Sequence, residues 1–149
     1  MHTGEAIHFD SLLASVLENA MAKIRSEVGA AMRFDGEDVI RMVHARGLEP
    51  HGVGDHRAGY SRTILREVRD SAMGRVVTDA GVDPRYSDAE SVRFGGLRSV
   101  LVAPVEVDGK VVGAIWLSNP LRSGAFKFGD LDRLTAICQQ ADGAARRLP

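Results

Sequence analysis

Apolar residues along this chain change their spacing several times, and each change marks an element. Leu13, Val16, Leu17, Ala20, Met21 and Ile24 recur at steps of three and four, which gathers them on one side of a helix with 3.6 residues per turn. The spacing predicts a helix over about residues 10–26. Asp10 or Ser11 is its expected N-cap, because a short side-chain oxygen accepts an otherwise unpaired amide hydrogen there. Strand-like runs follow at 28–34 and 39–45, separated by Asp35-Gly36, a dipeptide that tolerates the positive φ of a hairpin turn. A polar, glycine-rich stretch over 47–59 leads to Ser61. That serine caps a second predicted helix with the apolar face Ile64, Leu65, Val68 and Ala72, ending near Gly74.

Residues 75–80 predict a short strand, and the segment 81–97 is broken by Asp83-Pro84 and Gly95-Gly96. The two strongest strands, 98–107 and 110–118, are joined by a second hairpin dipeptide, Asp108-Gly109. Both are almost continuously apolar, so both faces of their sheet should be covered. Pro104 cannot donate to a strand ladder and predicts a bulge or an edge at that point. A last helix is expected over about 130–147. Strands made as hairpins imply an antiparallel sheet, and helices at the two ends of the chain can share one of its faces. The expected class is α/β of the α+β type, as one domain over 1–149 without internal repeat.

A chain of 149 residues can bury a sizeable core. The formal net charge is −1 and basic residues alternate with acids, which argues against a phosphate-tracking stripe and a direct nucleic-acid partner. The single cysteine, Cys138, allows neither an intrachain disulfide nor a cysteine zinc cluster. Residues 1–10 lack the basic and apolar regions of a signal peptide. No apolar run approaches the roughly 18 residues that cross a bilayer. The expected location is cytoplasmic, away from membranes.

From Gly59 onward the chain resembles a GAF domain of the type found in bacterial transcription activators and signalling kinases. The resemblance is carried by Ser61-Arg-Thr-Ile-Leu-Arg, Val76-Val-Thr-Asp-Ala, Asp83-Pro-Arg-Tyr and Ser91-Val. It is strongest in Gly96-Leu-Arg-Ser-Val-Leu-Val-Ala-Pro-Val and Gly113-Ala-Ile-Trp-Leu-Ser-Asn, and closes with Phe126 and Asp130-Leu-Asp-Arg-Leu. The N-terminal third fits by element order alone. The resemblance implies terminal helices on one sheet face, often used for dimerisation, and on the other face a pocket roofed by loops and short helices. Family members bind cyclic nucleotides, haem, bilins or other metabolites, or nothing.

Cyclic-nucleotide binders of this family carry an Asn-Lys pair, a Phe and an Asp-Glu pair. Asn119, Phe126 and Asp130 match, but Pro120 and Leu131 replace the Lys and the Glu, so the Lys–Asp ion pair cannot form. The matching three residues equally serve to cap and pack the last turn and helix. Trp116 falls where those binders place a pocket-facing acid. Strand alternation puts Ala114, Trp116 and Ser118 on one face, where an indole can stack on a flat ligand or simply fill core.

Tyr60 and Ser61 stand at a helix N-terminus, which suits an anionic group, although Ser61 as a plain N-cap needs no ligand. Ser87, Glu90, Ser91 and Arg93 are pocket candidates because the resemblance places them in its roof. His51, Asp55 and His56 lie within six residues of one another, yet no further Cys or His has metal-ligand spacing, and a solvated loop is the simpler reading. Gly52 and Gly54 begin a dinucleotide pattern that Arg57 breaks. No nucleophile elbow, phosphate loop or close carboxylate pair is present. One enzymatic branch of the family reduces free methionine sulfoxide through several cysteines. A lone Cys138 supplies no resolving partner, does not match the bilin attachment position, and reads as a small buried hydrophobe.

On the last helix Leu131, Leu134, Cys138, Ala141, Ala145 and Leu148 form a heptad-like seam ending beside Arg146-Arg147. It suits packing on the sheet, or pairing with a second copy and continuation into an output domain. The sequence therefore predicts a non-catalytic regulatory sensor, binding a small-molecule effector or a partner and signalling as a homodimer through its terminal helices. The alternative is a ligandless dimerisation or protein-interaction module of the same fold. No cofactor is named by these residues.

Overall fold

The computed structural model describes residues 3–36, 39–47, 61–80, 83, 99–119 and 124–145. These form helices α1 (Thr3–Lys23), α2 (Arg62–Ser71) and α3 (Phe128–Ala145). The strands are β1 (Val28–Phe34), β2 (Ile40–Arg46), β3 (Arg75–Val77), β4 (Ser99–Val107) and β5 (Lys110–Asn119). They build a five-stranded antiparallel sheet in the order β2-β1-β5-β4-β3. The α+β class and the antiparallel sheet are as expected.

The sheet carries an apolar layer on each face, which is why β4 and β5 read as continuous apolar runs rather than alternating ones. On one side α1 and α3 pack Leu13, Leu17, Ala20, Leu134, Ile137 and Cys138 against Ala31, Leu101, Ala103, Ile115 and Leu117. On the other, α2 sets Ile64, Leu65 and Val68 against Ala30, Met32, Val100, Val102, Ala114 and Trp116.

Two expectations at α1 need correction. The helix begins at Thr3 rather than near residue 10, so Asp10 and Ser11 lie inside it and cap nothing. Phe9, buried four residues before Leu13, extends the apolar stripe toward the N-terminus. The Asp10 carboxylate instead accepts from Arg33 of β1. Arg33 also donates through Nε and Nη2 to the two carboxylate oxygens of Asp35, at 2.8 and 3.0 Å, and Arg41 Nε lies 2.6 Å from Asp35.

Those hydrogen bonds from Arg33, with help from Arg41, hold the Asp35 carboxyl below the usual aspartate range of about 3.9. A carboxyl with a lowered folded-state pKa stabilises the fold above its unfolded value and loses that contribution as pH falls through the folded one. Asp35→Asn should therefore be less stable than the natural chain near neutral pH. Urea unfolding at each pH should show the gap intact down to about pH 5, narrowing from there as pH falls through the unfolded aspartate value, and gone only below the lowered folded-state value. A gap independent of pH would show that the pair contributes through shape alone.

The hairpins differ. Between β4 and β5, Val107 faces Lys110, and both Asp108 (φ 53°) and Gly109 (φ 79°) adopt positive φ, the geometry of a two-residue type I′ turn. Between β1 and β2 the last pair is Phe34 with Ile40, so the turn begun by Asp35-Gly36 spans five residues and the second strand starts one residue later than expected. β3 is also shorter, ending at Val77. Its ladder on β4 stops at Val102, and β4 then shifts register against β5 between Val105 and Glu106. Pro104 occupies the interval between, past the ladder on one flank and one step before the bulge, where a missing N–H is tolerated.

The start of α3 explains two motif residues. Lys127 N donates to Asp130 Oδ2 at 3.0 Å, so Asp130 reaches back to the residue before the helix as the acidic half of a capping box. Phe126 is buried against the same core. In the described part of the seam, Leu134, Cys138 and Ala141 are buried against the sheet and α1, while Arg146, Arg147 and Leu148 lie outside the described residues.

Candidate functional site

The face of the sheet under α2 gathers the sequence candidates that the described residues contain. Ser61 is fully buried and holds extended backbone (φ −114°, ψ 121°) as N-cap of α2. Its Oγ accepts from Ile64 N at 3.3 Å. The hydroxyl is thus engaged in capping, a local role that needs no ligand. Tyr60, Ser87, Glu90, Ser91 and Arg93 lie outside the described residues, as does the loop holding His51 and His56.

Trp116 is fully buried at the centre of this face. Its pairing with Ala30 on β1 and Val102 on β4 puts small and β-branched side chains beside the indole, leaving room for the ring to lie between sheet and helix. Among the described residues its buried Nε1 has no hydrogen-bond partner. Two residues on, Ser118 projects from the same face, is fully buried, and its Oγ also has no partner among the described residues. An indole N–H only donates, and a hydroxyl donates and accepts. Buried groups of this kind are normally satisfied, and leaving one unpaired costs roughly 1–3 kcal/mol. Ser118 escapes a residue-by-residue reading, since a serine ending an apolar strand carries no distinctive signal. Only its alternation with Trp116 points to it.

Asn119, one residue further, turns to structural work. Its Oδ1 accepts from Glu27 N at 2.9 Å, tying the end of β5 to the entry of β1. With Asp130 capping α3 and Phe126 in the core, the three residues shared with cyclic-nucleotide binders all have structural roles here.

Cys138 is buried, and burial pushes its thiol up to about 12. It stays protonated at neutral pH and is a poor nucleophile. Among the described residues no group of three or more His, Cys, Asp or Glu is placed to hold a metal ion, and no helix is long and apolar enough to cross a membrane. Two open grooves lie elsewhere. One of about 250 Å³ runs along the free flank of β4 between Pro104, Glu106 and Thr135. The other, about 290 Å³, lies between α1 and α3 and is lined by Leu12, Val16, Asn19, Ile137, Gln140 and Ala144.

Beside this arrangement of the described residues, the sequence matches a known family model. The GAF domain model covers residues 8–144. The chain belongs to the GAF domain family. Solved structures share the fold of this GAF domain at low sequence identity. The photoproduct state of GAF3 from Slr1393 of Synechocystis sp. PCC6803 has a TM-score of 0.72 at 15% identity, covering 91% of this chain and 92% of that one. Residues 122 to 287 of a methyl-accepting chemotaxis protein give 0.70 at 18% identity, with 93% and 89% covered. A type II free methionine-R-sulfoxide reductase from Thermoplasma acidophilum gives 0.70 at 14% identity, with 95% of each chain covered. A comparison with curated proteins gave no match.

Proposed function

We propose that this GAF domain is a non-catalytic sensory module that binds a small molecule on the α2 face of its sheet. The observation that carries this reading is the pair of buried polar atoms on one face of β5, Trp116 Nε1 and Ser118 Oγ, that have no partner among the described residues. A bound molecule that satisfies both removes a standing desolvation cost, and that relief is part of its affinity. Tyr60, Ser61, Ser87, Glu90, Ser91 and Arg93 remain candidates for the rest of the site. The likeness to a chemotaxis protein and to a photoproduct-forming domain supports a sensory role. Against a reductase role like that of the Thermoplasma protein stand the single cysteine of the chain and its raised thiol pKa.

Output would run through α1 and α3, which pack on the opposite face of the same sheet. Ligand affinity that differs between two arrangements of these helices shifts their populations. The groove between α1 and α3 supports a homodimer formed there, in a cytoplasmic signalling or transcription-regulating protein.

A thermal-shift screen against nucleotides, amino acids, haem, nitrate and other metabolites tests the reading. Ligand at about 100 times its dissociation constant adds about 2.7 kcal/mol of stability, a clear rise in melting temperature. Flat curves throughout, beside a dimeric mass, would favour the ligandless interaction module of the same fold.

A further inference from the structure

On the β3 side of the sheet part of an edge is left uncovered. β3 pairs with β4 only from Val100 to Val102, so among the described residues no strand lies along the outer flank of β4 from Ala103 to Val107. Val107 and Lys110 close a two-residue turn, and such a pair exchanges its main-chain hydrogen bonds across the hairpin. The extra residue at the register shift, Val112, belongs to β5, so alternation along β4 is unbroken. It turns the main chains of Glu106, Pro104 and Val102 outward. Val102 O accordingly lies 2.8 Å from where a Cβ on Gly74 would stand. Beyond it Pro104 offers a carbonyl, and Glu106 both an N–H and a carbonyl.

This flank is the floor of the groove of about 250 Å³. Ala72, at the end of α2, borders it on one side, and Thr135, Gln139 and Asp142 of α3 border it on the other. Leu131 and Phe128 continue that helix face toward the start of α3 at steps of four and three. Leu131 reaches Gly74, and Phe128 and Met73 are 77% and 64% exposed, two large apolar side chains at one end of the trough. From Phe128 to Asp142 the helix runs about 21 Å, the reach of roughly six extended residues. The other end is acidic. Glu106 is exposed and has no ion pair among the described residues, and Asp142 Oδ1 accepts from Asp108 N at 3.2 Å. Glu106 shares the α2 face with Pro104 and Val102, whereas Asp142 stands on the α3 face, so successive side chains of an added strand meet one carboxylate and then the other.

We propose that this flank binds an extended basic peptide of a partner protein, added to the sheet beside β4 in line with β3. Main-chain hydrogen bonds to Pro104 O and to Glu106 hold it, lysine or arginine side chains meet Glu106 and Asp142, and an apolar residue rests on Met73 and Phe128. A second copy of the chain is a poor occupant. Symmetric pairing brings two Glu106 carboxylates together and places two prolines without N–H in one ladder, devices by which natural sheets discourage pairing with themselves. A basic strand reverses the sign of the charge interaction and meets a single missing donor.

Titration of the whole ¹⁵N-labelled protein with a capped seven-residue peptide, alternating lysine and valine and ending in leucine, tests this. The amide resonances of Glu106, Val107 and Gly109 should shift saturably. The same peptide with glutamate for lysine should bind at least about tenfold more weakly, because like charges then face each other. Methylating the peptide's main-chain nitrogens removes donors and keeps the charge, and should weaken binding at least about fivefold. Glu106→Gln should weaken the basic peptide about threefold and leave the unfolding midpoint unchanged, since the side chain is exposed. Equal binding of the acidic and basic peptides, or of the methylated and plain ones, overturns the proposal. So do shifts confined to β2, the other edge of the sheet, and a spectrum that ignores the peptide. Shifts of the same amides on dilution of the protein alone assign the flank to a second copy and overturn it as well.

Discussion

Replacing Gly113 by alanine should cost about 3 kcal/mol, the upper end of what overpacking costs when the surroundings cannot give way. Gly113 sits inside β5, paired with Arg33 on β1 and Val105 on β4. A methyl group there would overlap the carbonyl oxygen of Met32, a backbone atom of the adjoining strand, and press on both terminal carbons of Leu13 at 3.4 Å. A flexible side chain could swing aside, whereas Met32 O is fixed by the β1–β5 ladder. Strand glycine is commonly destabilising for want of a side chain to pack, and its presence marks close approach. Here the close approach is that of β1 through the Met32 carbonyl, while Leu13 of α1 stands at ordinary contact distance over the same position. Urea unfolding measures the loss. Gly129→Ala is the matched control, because no atom lies within 4 Å of the position its methyl would take. That change should be neutral or add about 0.5 kcal/mol by restricting the unfolded chain. Equal, small effects at both positions would show that β5 and β1 can spread at Gly113 without penalty.

The parts of this molecule that sequence discloses are those decided within a few residues. Asp108-Gly109 predicts a two-residue primed turn because both residues tolerate positive φ, and both adopt it. Ser61 predicts a helix start because its oxygen reaches only three residues ahead, to Ile64. The same local rule fails at Asp10, whose carboxylate is taken by an arginine 23 residues away. Capping propensity knows nothing of that partner. Asn119 is similar: its side chain closes a contact with Glu27 across 92 residues, and no spacing rule reaches so far.

The candidate site divides along the same line. Alternation along β5 places Trp116 and Ser118 on one face, but whether an indole N–H finds a partner depends on four strands and a helix meeting around it. Ser87, Glu90, Ser91 and Arg93 rest on family resemblance and Tyr60 on its place at a helix N-terminus; all five lie outside the described residues, so their part in the site rests on the proposed function.

Trp116→Ala should cost about 3–5 kcal/mol, the range for deleting a large aromatic from a packed core. The ring is fully buried among side chains from β1, β4, β5 and α2, so its loss leaves a cavity that the rigid sheet cannot close. Trp116→Phe separates packing from hydrogen bonding. Phenylalanine keeps most of the apolar contact and removes a buried N–H that has no partner among the described residues. Relief of that desolvation, roughly 1–3 kcal/mol, opposes the loss from the smaller ring, so the ligand-free variant should stand within about 1 kcal/mol of the natural chain. Its affinity for an acceptor-bearing fragment should fall at the same time, a split that a purely space-filling tryptophan does not produce. Melting curves with and without a ligand identified in the thermal-shift screen read both quantities from one preparation. A Trp116→Phe protein as unstable as Trp116→Ala would show that the indole nitrogen is already satisfied in the free domain. Trp116 would then act as core filling, as in the ligandless interaction module.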